Sequence, residues 1–422
     1  GIADIDRAGH VITGIHQPDH AFDQIVDIAE RTRLQAVAID GDVLALQRLN
    51  DEVRHHAPVI RVHARAIGVE NPHHLDAQLM LAVIIEEQRF GAALALVIAG
   101  PRADRVYITP VFLGLRVNRW IAVNFRCRRL QDFRAGPDKG FARRLTREGA
   151  LLDPTPDLYD HAFVLFALAW HHKATGNVGS RDWMHRTLDY IETHLKVSDG
   201  EGFWHELPPT GWRQQNPHMH LTEACLAAFE ATGEARFATV ANEIVGVFTS
   251  RFFDLKSQTL AEYFTNDLAR ATGDDGRIVE PGHQLEWAWI LNSCRKLLGL
   301  EVAPQIRALA SFAETNGVDP VTKITFNTVR DDGTPIDRAS RTWPNTERIK
   351  AAIALYELDG VDPAPVIQSS AGILFDRYLG RTLPGTWVDM VDASGQPVPG
   401  NAPASTLYLV FLAFAEVLRI NR

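Results

Sequence analysis

The amino-acid sequence predicts an all-α fold, an α/α barrel of helix pairs, and the main evidence is a repeat that begins at residue 140. Five short polar segments, each with an aromatic residue, recur at spacings of 62, 60, 63 and 61 residues. A period this constant indicates a repeated supersecondary unit. After each segment, apolar residues return with the 3.6-residue spacing of an amphipathic helix. The aromatic positions are Phe141, Phe203, Tyr263, Phe326 and Trp387.

A helix is predicted directly after each aromatic segment, where helix-start residues such as proline or asparagine lead into the apolar periodicity. A second helix fills the rest of four units. The five first helices are predicted over Asp157–Thr175, Pro217–Thr232, His283–Leu298, Pro344–Leu358 and Ala402–Leu418. The four second helices are predicted over Ser180–Lys196, Ala235–Phe253, Ala303–Thr315 and Ala364–Tyr378.

Helix pairs of this kind depend on their neighbours, because each helix keeps an apolar face that only the adjacent units can cover. The units therefore either stack as a solenoid or close into a ring. A unit of about sixty residues is long for a solenoid repeat, which favours the ring. A barrel of six pairs has three helices more than the nine counted here, and these are expected before residue 140.

The first third of the chain does not show the repeat. We therefore predict an atypical segment over residues 1–133 and the barrel domain over residues 134–422. Residues 1–138 contain sixteen Arg, no Lys and eight of the seventeen His, with apolar runs such as Gly91–Ala99. Three explanations stay open for this part: a diverged barrel third, an unrelated appended domain, or a GC-rich reading frame never selected as protein.

Composition excludes several classes of function. A net charge of −9 opposes binding to nucleic acid, which needs clustered Lys and Arg. No apolar stretch reaches the eighteen residues of a membrane span, so no membrane partner is expected. The three cysteines lack CxxC spacing and no HExxH pattern occurs, which favours a reducing, cytoplasmic setting without a metal or cofactor.

The first turns of the five first helices should meet at one end of the barrel and form a concave site. Aromatic rings beside carboxylates, imidazoles and amides suit a sugar, which presents apolar CH faces and a rim of hydroxyls. The residues expected there are Tyr159, Asp160, Asn216, His218, His220, Glu280, His283, Glu286, Trp287, Trp343, Glu347, Arg348 and Trp387.

Several of these residues also have a plain structural explanation. His283 and Glu286 share one helix face three residues apart and could form a simple structural pair. Asn216 and His220, one turn apart, could serve only as a hydrogen-bonded helix start. Glu347 could form an ion pair at a helix start. His218 is expected to pack rather than to bind.

Four short motifs lie at the predicted starts of these helices. They are DLYDHAF from Asp157, NPHMHL from Asn216, VEPGHQLEW from Val279 and RTWPNTERIKA from Arg341, with PASTLY from Pro403 as a fifth. In sequence and order they resemble the motifs of the N-acylglucosamine 2-epimerase superfamily, sugar isomerases and 2-epimerases built on an α/α barrel. Four motifs in register are far stronger evidence than any one of them.

The resemblance implies a cofactor-free proton transfer next to a sugar carbonyl, through an enediol. Imidazole suits this chemistry because its pKa lies near neutral pH. The family uses one histidine in the Pro-Gly-His motif, which corresponds to His283, and one directly after the last tyrosine. Here Leu409 follows Tyr408, so the second position holds no proton carrier. The early substrate-binding arginine of the family is not assigned to any residue of this chain.

The predicted activity is aldose–ketose isomerisation or 2-epimerisation of a free aldose such as mannose. Because epimerisation needs two bases and isomerisation can use one, Leu409 favours isomerisation. The predicted catalytic residues are His283 and Glu286, and the predicted substrate-binding residues are Tyr159, Asn216, His220, Trp343, Glu347 and Trp387. The expected partner is a monosaccharide, and a homodimer stays open.

Two other functions stay open. One is a degenerate or chimeric member that binds sugar and catalyses nothing, which Leu409 and the atypical first third would explain. The other is an α/α-barrel glycoside hydrolase with Glu286 and Glu347 as acid and nucleophile.

Overall fold

The computed structural model describes residues 140–145, 150–379 and 386–421, together with the backbone of six strands within the first 108 residues. By internal contacts the chain divides into two compact units. One is Gly1–Ala122 with Thr382–Trp387, and the other is Val123–Arg381 with Val388–Arg422.

Within the first 122 residues, all the described residues are in strands. The long strands pair in antiparallel order, with Ile60 opposite Glu87 and Leu79 opposite Ala99. The three helices expected before residue 140 have no counterpart among these residues. The segments have the length of strands, and they alternate between apolar and polar residues in Ile60–Ile67 and are apolar throughout in Gly91–Ala99. The strands are Asp4–Ile5 with Val11–Ile12, and Ile60–Ile67, Leu79–Glu87, Gly91–Ala99 and Tyr107–Ile108 in one sheet.

The second unit is mainly helical, and its described residues contain a helix at each of the nine places that the sequence predicts. The helices are α1 (Leu158–Thr175), α2 (Val178–Tyr190), α3 (Asn216–Thr232), α4 (Ala235–Val247), α5 (Pro281–Leu298), α6 (Ala303–Asn316), α7 (Thr342–Asp359), α8 (Ala364–Ile373) and α9 (Ala404–Ile420).

The helices alternate between two layers. The odd-numbered helices, called inner helices here, pack on one another in chain order from α1 to α9, and α2, α4, α6 and α8 each pack on the inner helix before them. Three of these outer helices continue into a π-helical turn, at Ile191–Leu195, Phe248–Phe252 and Leu374–Leu379, so the regular helix ends earlier than predicted there.

Short antiparallel strands precede the inner helices, as the hairpin-like segments predict. The pairs are Arg144–Leu145 with Leu151–Asp153, Arg213–Gln214 with Tyr263–Phe264, Phe253–Asp254 with Thr259–Leu260, and Ser340–Arg341 with Met390–Val391. A three-stranded sheet joins Ile278–Val279, Thr328–Arg330 and Pro335–Asp337.

Each of the first four inner helices ends at a glycine in the left-handed region. The glycines are Gly176, Gly233, Gly299 and Gly360, with φ of 66°, 72°, 70° and 73°. Glycine adopts this conformation without the Cβ clash of other residues and so ends the helix sharply. The chain can therefore turn back at once into the outer helix.

A polar side chain in the first turns of each of these four inner helices fastens the preceding segment. It bonds the backbone N–H of a residue 15 to 24 positions earlier. The four pairs, called clamps here, are His161 with Phe141, His218 with Phe203, Gln284 with Leu260 and Asn345 with Thr325. Each clamp therefore fixes the start of an inner helix to the segment that precedes it.

His218 accordingly has the packing role expected for it. It is fully buried, and burial lowers its pKa to about 3, so the imidazole is neutral and Nε2 can accept from the backbone of Phe203. None of the described helices is both long and apolar enough to cross a membrane.

Candidate active site

A cluster of buried polar side chains lies where the starts of the inner helices converge. His220 Nδ1 lies 3.2 Å from the carboxylate of Glu223. The Tyr408 hydroxyl lies 3.4 Å from the same nitrogen and 3.3 Å from Oε1 of Glu286. His220 and Glu223 are 5% exposed and Glu286 is 1% exposed. Tyr408 on α9 therefore joins an imidazole on α3 to a carboxylate on α5.

Aromatic rings enclose His220. The ring of Tyr159 meets it edge-on at 4.9 Å and the ring of Phe163 lies at 4.8 Å. Burial lowers the pKa of His220, and the hydrogen bond to Glu223 offsets that only in part. His220 is therefore a neutral imidazole near neutral pH.

His283 is in the opposite state. Its Nδ1 lies 2.9 Å from Glu262 and 3.5 Å from Glu280. Burial by itself would lower the pKa of His283, but the two carboxylates outweigh it and raise the pKa to about 10. His283 is thus an imidazolium near neutral pH, and its resting form donates a proton.

The partner carboxylate of His283 is locked in place. Glu262 accepts hydrogen bonds from Gln215 Nε2 at 2.8 Å and from the backbone N–H of Glu280 at 3.2 Å. Gln215 in turn accepts from Trp287 Nε1 at 2.6 Å. Trp287, expected at the mouth of the site, is instead fully buried. Its hydrogen bond orients Gln215 toward Glu262.

A buried lysine connects two carboxylates of the cluster. Lys350 Nζ lies 2.6 Å from Oε2 of Glu347 and 3.9 Å from Oε1 of Glu286, above the ring of Trp289 at 4.2 Å. One ammonium cannot neutralise two carboxylates. Burial, together with the charge of Glu347, raises the pKa of Glu286 well above its usual value, which favours its protonated form.

A cavity of about 630 Å³ opens beside the starts of α1 and α3. Tyr159, Asp160 and Asn216 line it. Asn216 Oδ1 and Asp160 Oδ2 are buried without a hydrogen-bond partner among the described residues. Orphaned acceptors of this kind are rare in folded proteins, and ligand hydroxyls would satisfy them.

The cavity is acidic. Burial and the charge of Asp157 raise the pKa of Asp160 to about 6. Arg143 also lines the cavity, but its guanidinium already bonds Asp157 at 2.6 Å and Glu206 at 2.5 Å. The cavity therefore suits neutral hydroxyls better than an anion.

The predicted site residues are only partly brought together. His220, His283 and Glu286 belong to the buried cluster, and the ring of Trp343 lies 5.0 Å from that of His283. Glu347 is fully buried beside Lys350. Tyr159 and Asn216 line the cavity.

Trp387 is half-buried before the strand Met390–Val391, and its Nε1 has no hydrogen-bond partner among the described residues. Of the other residues expected at the mouth, Arg348 bonds both carboxylate oxygens of Glu314, at 2.6 and 2.9 Å.

Four residues of the cluster were not singled out from the sequence as site residues: Glu223, Glu262, Lys350 and Tyr408. Lys350 stands three residues after Glu347 and Glu223 three residues after His220, so one-turn spacing was an available signal. Glu262 carried no such signal, because it lies 21 residues before His283.

Leu409 lies on α9 directly after Tyr408 and is 7% exposed. An apolar side chain at this point neither donates nor accepts a proton. Among the described residues, the imidazoles of the cluster are therefore those of His220 and His283.

Two groups have the donor types and spacing of a cation site, His220 with Glu223 and Glu286, and Glu262 with Glu280 and His283. In both, a carboxylate already bonds the imidazole, so the hydrogen bonds explain the arrangement without an ion. We identify neither as a metal site.

The family model of N-acylglucosamine 2-epimerase matches residues 127–413 of the chain. A mannose-6-phosphate isomerase of Rhizobium meliloti (strain 1021) is 36% identical over 67% of this chain and 75% of the relative. A D-mannose isomerase of Thermobifida fusca is 28% identical over 62% of this chain and 68% of the relative.

Among solved structures, a crystal structure of a D-mannose isomerase matches 69% of this chain and 78% of that chain, with a TM-score of 0.64 and 24% identity. At that identity the likeness establishes the fold. It confirms the all-α, α/α-barrel class that the sequence predicts.

Proposed function

The chain belongs to the N-acylglucosamine 2-epimerase family, and on that premise we propose that it is a sugar isomerase that converts a free aldose such as mannose into the ketose by moving the C2 proton through an enediol. The observation that carries the proposal is a pair of buried imidazoles, His220 and His283, each held by a carboxylate, beside the buried carboxyl of Glu286. Their surroundings lower the pKa of His220 and raise the pKa values of His283 and Glu286. Groups whose pKa values are pushed apart are typical of acid–base catalysis.

His283 and Glu286 are assigned the catalytic roles. As an imidazolium, His283 can protonate the sugar carbonyl oxygen as the enediol forms. Glu286, held neutral, can donate a hydrogen bond to a second sugar oxygen without adding charge. Both groups are almost fully buried, which strengthens their interactions with a developing enediolate.

The remaining predicted residues are assigned to sugar binding. Trp343 packs at 5.0 Å against His283, where its ring can cover an apolar sugar face. Asn216 and Tyr159 offer hydrogen bonds from the cavity. Glu347 acts through Lys350. Trp387 stays a predicted substrate-binding residue.

A free sugar is favoured over a sugar phosphate. The name of the Rhizobium relative specifies mannose 6-phosphate. In this chain, Asp157, Asp160 and Glu206 line the cavity, and Arg143 is already paired with two of these three carboxylates. A phosphate would meet repulsion there.

Isomerisation is favoured over 2-epimerisation. An epimerase must take the C2 proton on one face and return it on the other, which requires proton carriers on both sides. Leu409 leaves the α9 side without one. An isomerase can instead use one base, which carries the carbon-bound proton from C2 to C1 along one face of the sugar.

Proton NMR in heavy water tests the proposal. We expect the purified chain to remove the C2 proton signal of mannose and to produce fructose, with much weaker activity on mannose 6-phosphate. His283→Ala should abolish both changes, whereas His194→Ala, at an exposed histidine, should not.

The same measurement separates the alternatives. Folded protein that removes neither the C2 proton of mannose or glucose nor a C1 proton of fructose, and forms no isomer, would be a non-catalytic family member. Release of a shorter sugar from an oligosaccharide without isomer formation would indicate a glycoside hydrolase.

A further inference from the structure

The proposed reaction needs a base for the carbon-bound proton, and His283 cannot be that base in its resting form. Its Nδ1 lies between Glu262 and Glu280, and the ring already carries both protons. The base must therefore be another group of the described site.

Most other groups in the cluster are unsuited to the task. The raised pKa of Glu286 favours its protonated form, and Glu347 is tied to Lys350 at 2.6 Å. Burial raises the pKa of the Tyr408 hydroxyl well above its usual range. Asp160 lines the cavity, where its charged neighbours are Asp157, Arg143 and Asp153 rather than His283.

His220 has the geometry of an oriented base. The Glu223 carboxylate lies at Nδ1, at 3.2 Å, and fixes the proton on that nitrogen. The other ring nitrogen, Nε2, makes no hydrogen bond to a described residue and is left with its lone pair. Tyr159 and Phe163 hold the ring plane from two sides. A base oriented by a carboxylate is the arrangement of general-base catalysis.

We propose that His220 is the general base of this chain, which carries the proton between C2 and C1, while His283 carries the proton between the two sugar oxygens. The inference rests on the proposed isomerase function and assigns the base of the same site.

The steps balance with these two residues alone. Nε2 of His220 takes the C2 proton, the C–H electron pair forms the C1–C2 double bond, and His283 gives its proton to O1. The enediol then loses the O2 proton to His283, the C2 carbonyl forms, and His220 returns its proton to C1. Both imidazoles end in their starting states.

The two imidazoles should control different limbs of the pH profile. The charged and titratable groups around His220 are Glu223 on its own helix, Tyr159 on α1, Glu286 and His283 on α5, Glu347 and Lys350 on α7, and Tyr408 on α9. Of these, Glu223 is the main partner that raises the pKa of His220. Glu262 is the main partner that raises the pKa of His283.

The test is a crossed pair of carboxylate variants with mannose as substrate. Glu223→Gln should move the acid limb of kcat to lower pH, because the base becomes weaker, and leave the alkaline limb near 10 in place. Glu262→Gln should move the alkaline limb to lower pH and leave the acid limb in place. Any other pattern, including equal shifts in both limbs, would overturn the assignment.

A second measurement separates a base from a binding group. His220→Gln should lower the rate of fructose formation from mannose by about 10²- to 10⁴-fold, the range for a lost general base, while the Kd for the carbonyl-free sugar alcohol mannitol changes less than about threefold. A rate of fructose formation within about threefold of that of the unaltered chain, or a Kd change as large as the rate change, would contradict the role.

The protonation states can be measured without turnover, by imidazole ¹⁵N NMR. We expect His220 to be neutral with the proton on Nδ1, and His283 to be cationic at pH 7. A cationic His220 would overturn this inference even in an active isomerase. If the unaltered chain forms no isomer from any sugar, the proposed function itself fails, and the inference fails with it.

Discussion

Lys350 shows how strongly one side chain of the site depends on its neighbours. The ammonium is fully buried between Glu347 and Glu286, and burial by itself would disfavour its charge. The charge of Glu347 is the main cause that reverses that effect and raises the pKa of Lys350. Removing the ammonium would leave the Glu347 carboxylate buried without its counter-ion, which is far more costly than removing an exposed ion pair.

We therefore expect Lys350→Met to destabilise the fold by about 3–5 kcal/mol. The matched control is Lys296→Met, since Lys296 also pairs with a glutamate, Glu357, but is 42% exposed and should cost no more than about 1 kcal/mol. Chemical denaturation at pH 7 measures both changes. Equal losses in the two variants would show that the buried cluster does not hold the charges assigned to it.

Leu409 determines which reaction the site can perform. An imidazole at this position would stand next to Tyr408 and supply a proton carrier on the α9 side. Leu409→His should therefore allow protonation of the enediol from a second direction, and glucose should form from mannose beside fructose. Anion-exchange chromatography of the unreduced sugars measures the ratio of glucose to fructose. A product mixture without glucose, from a folded variant, would mean that α9 does not face C2.

The sequence motifs located His220, His283 and Glu286 because residue type and one-turn spacing are local properties. They did not reveal the protonation states of these groups. The state of His283 depends on Glu262, which is 21 residues away, and that of Glu286 depends on Glu347, which lies on another helix. Such partners meet only when the inner helices pack, so no local pattern encodes them.

The helices themselves were predictable, because their apolar spacing, helix-start residues and terminal glycines are all local. The ends of the outer helices were not, since α2, α4 and α8 continue into π-helical turns. The clamps were also missed. A histidine or an amide in the first turns of a helix gives no sign that its partner is a backbone N–H up to 24 residues earlier.

The start of α5 is the element on which the site depends most closely. A Cβ on Gly282 would lie 2.4 Å from the ring of Trp343, a separation that real Cβ atoms do not reach. Gly282→Ala should therefore tilt Trp343 away from His283 and raise the KM for mannose while the helix persists. Steady-state kinetics and tryptophan fluorescence measure the effect.

Gly246 on α4 is the control, because it is also helical but has no neighbouring atom within 4 Å of the position that a Cβ would take. Gly246→Ala should raise stability by about 0.5–1 kcal/mol through helix propensity and leave KM unchanged. An unchanged KM in Gly282→Ala as well would remove Trp343 from the sugar-binding surface.

The first and last inner helices, α1 and α9, bear on whether copies of the chain associate. The division of contacts after Ala122 is compatible with a barrel domain over residues 134–422, which stays a prediction. Among the described residues, α1 and α9 each pack extensively on one inner helix, whereas the inner helices between them pack on two. Their apolar side chains are correspondingly open: Trp170 is 38% exposed, and Phe166 and Phe411 are half-buried.

Apolar surface of this kind favours association between copies of the chain. We expect the apparent mass in size-exclusion chromatography with light scattering to rise with protein concentration. Trp170→Glu should shift it toward the monomer, because a carboxylate at this point opposes burial. Leu255→Glu, at an apolar residue that is 75% exposed but outside α1 and α9, should have no effect. A monodisperse monomer at every concentration would mean that these faces are covered within a single chain.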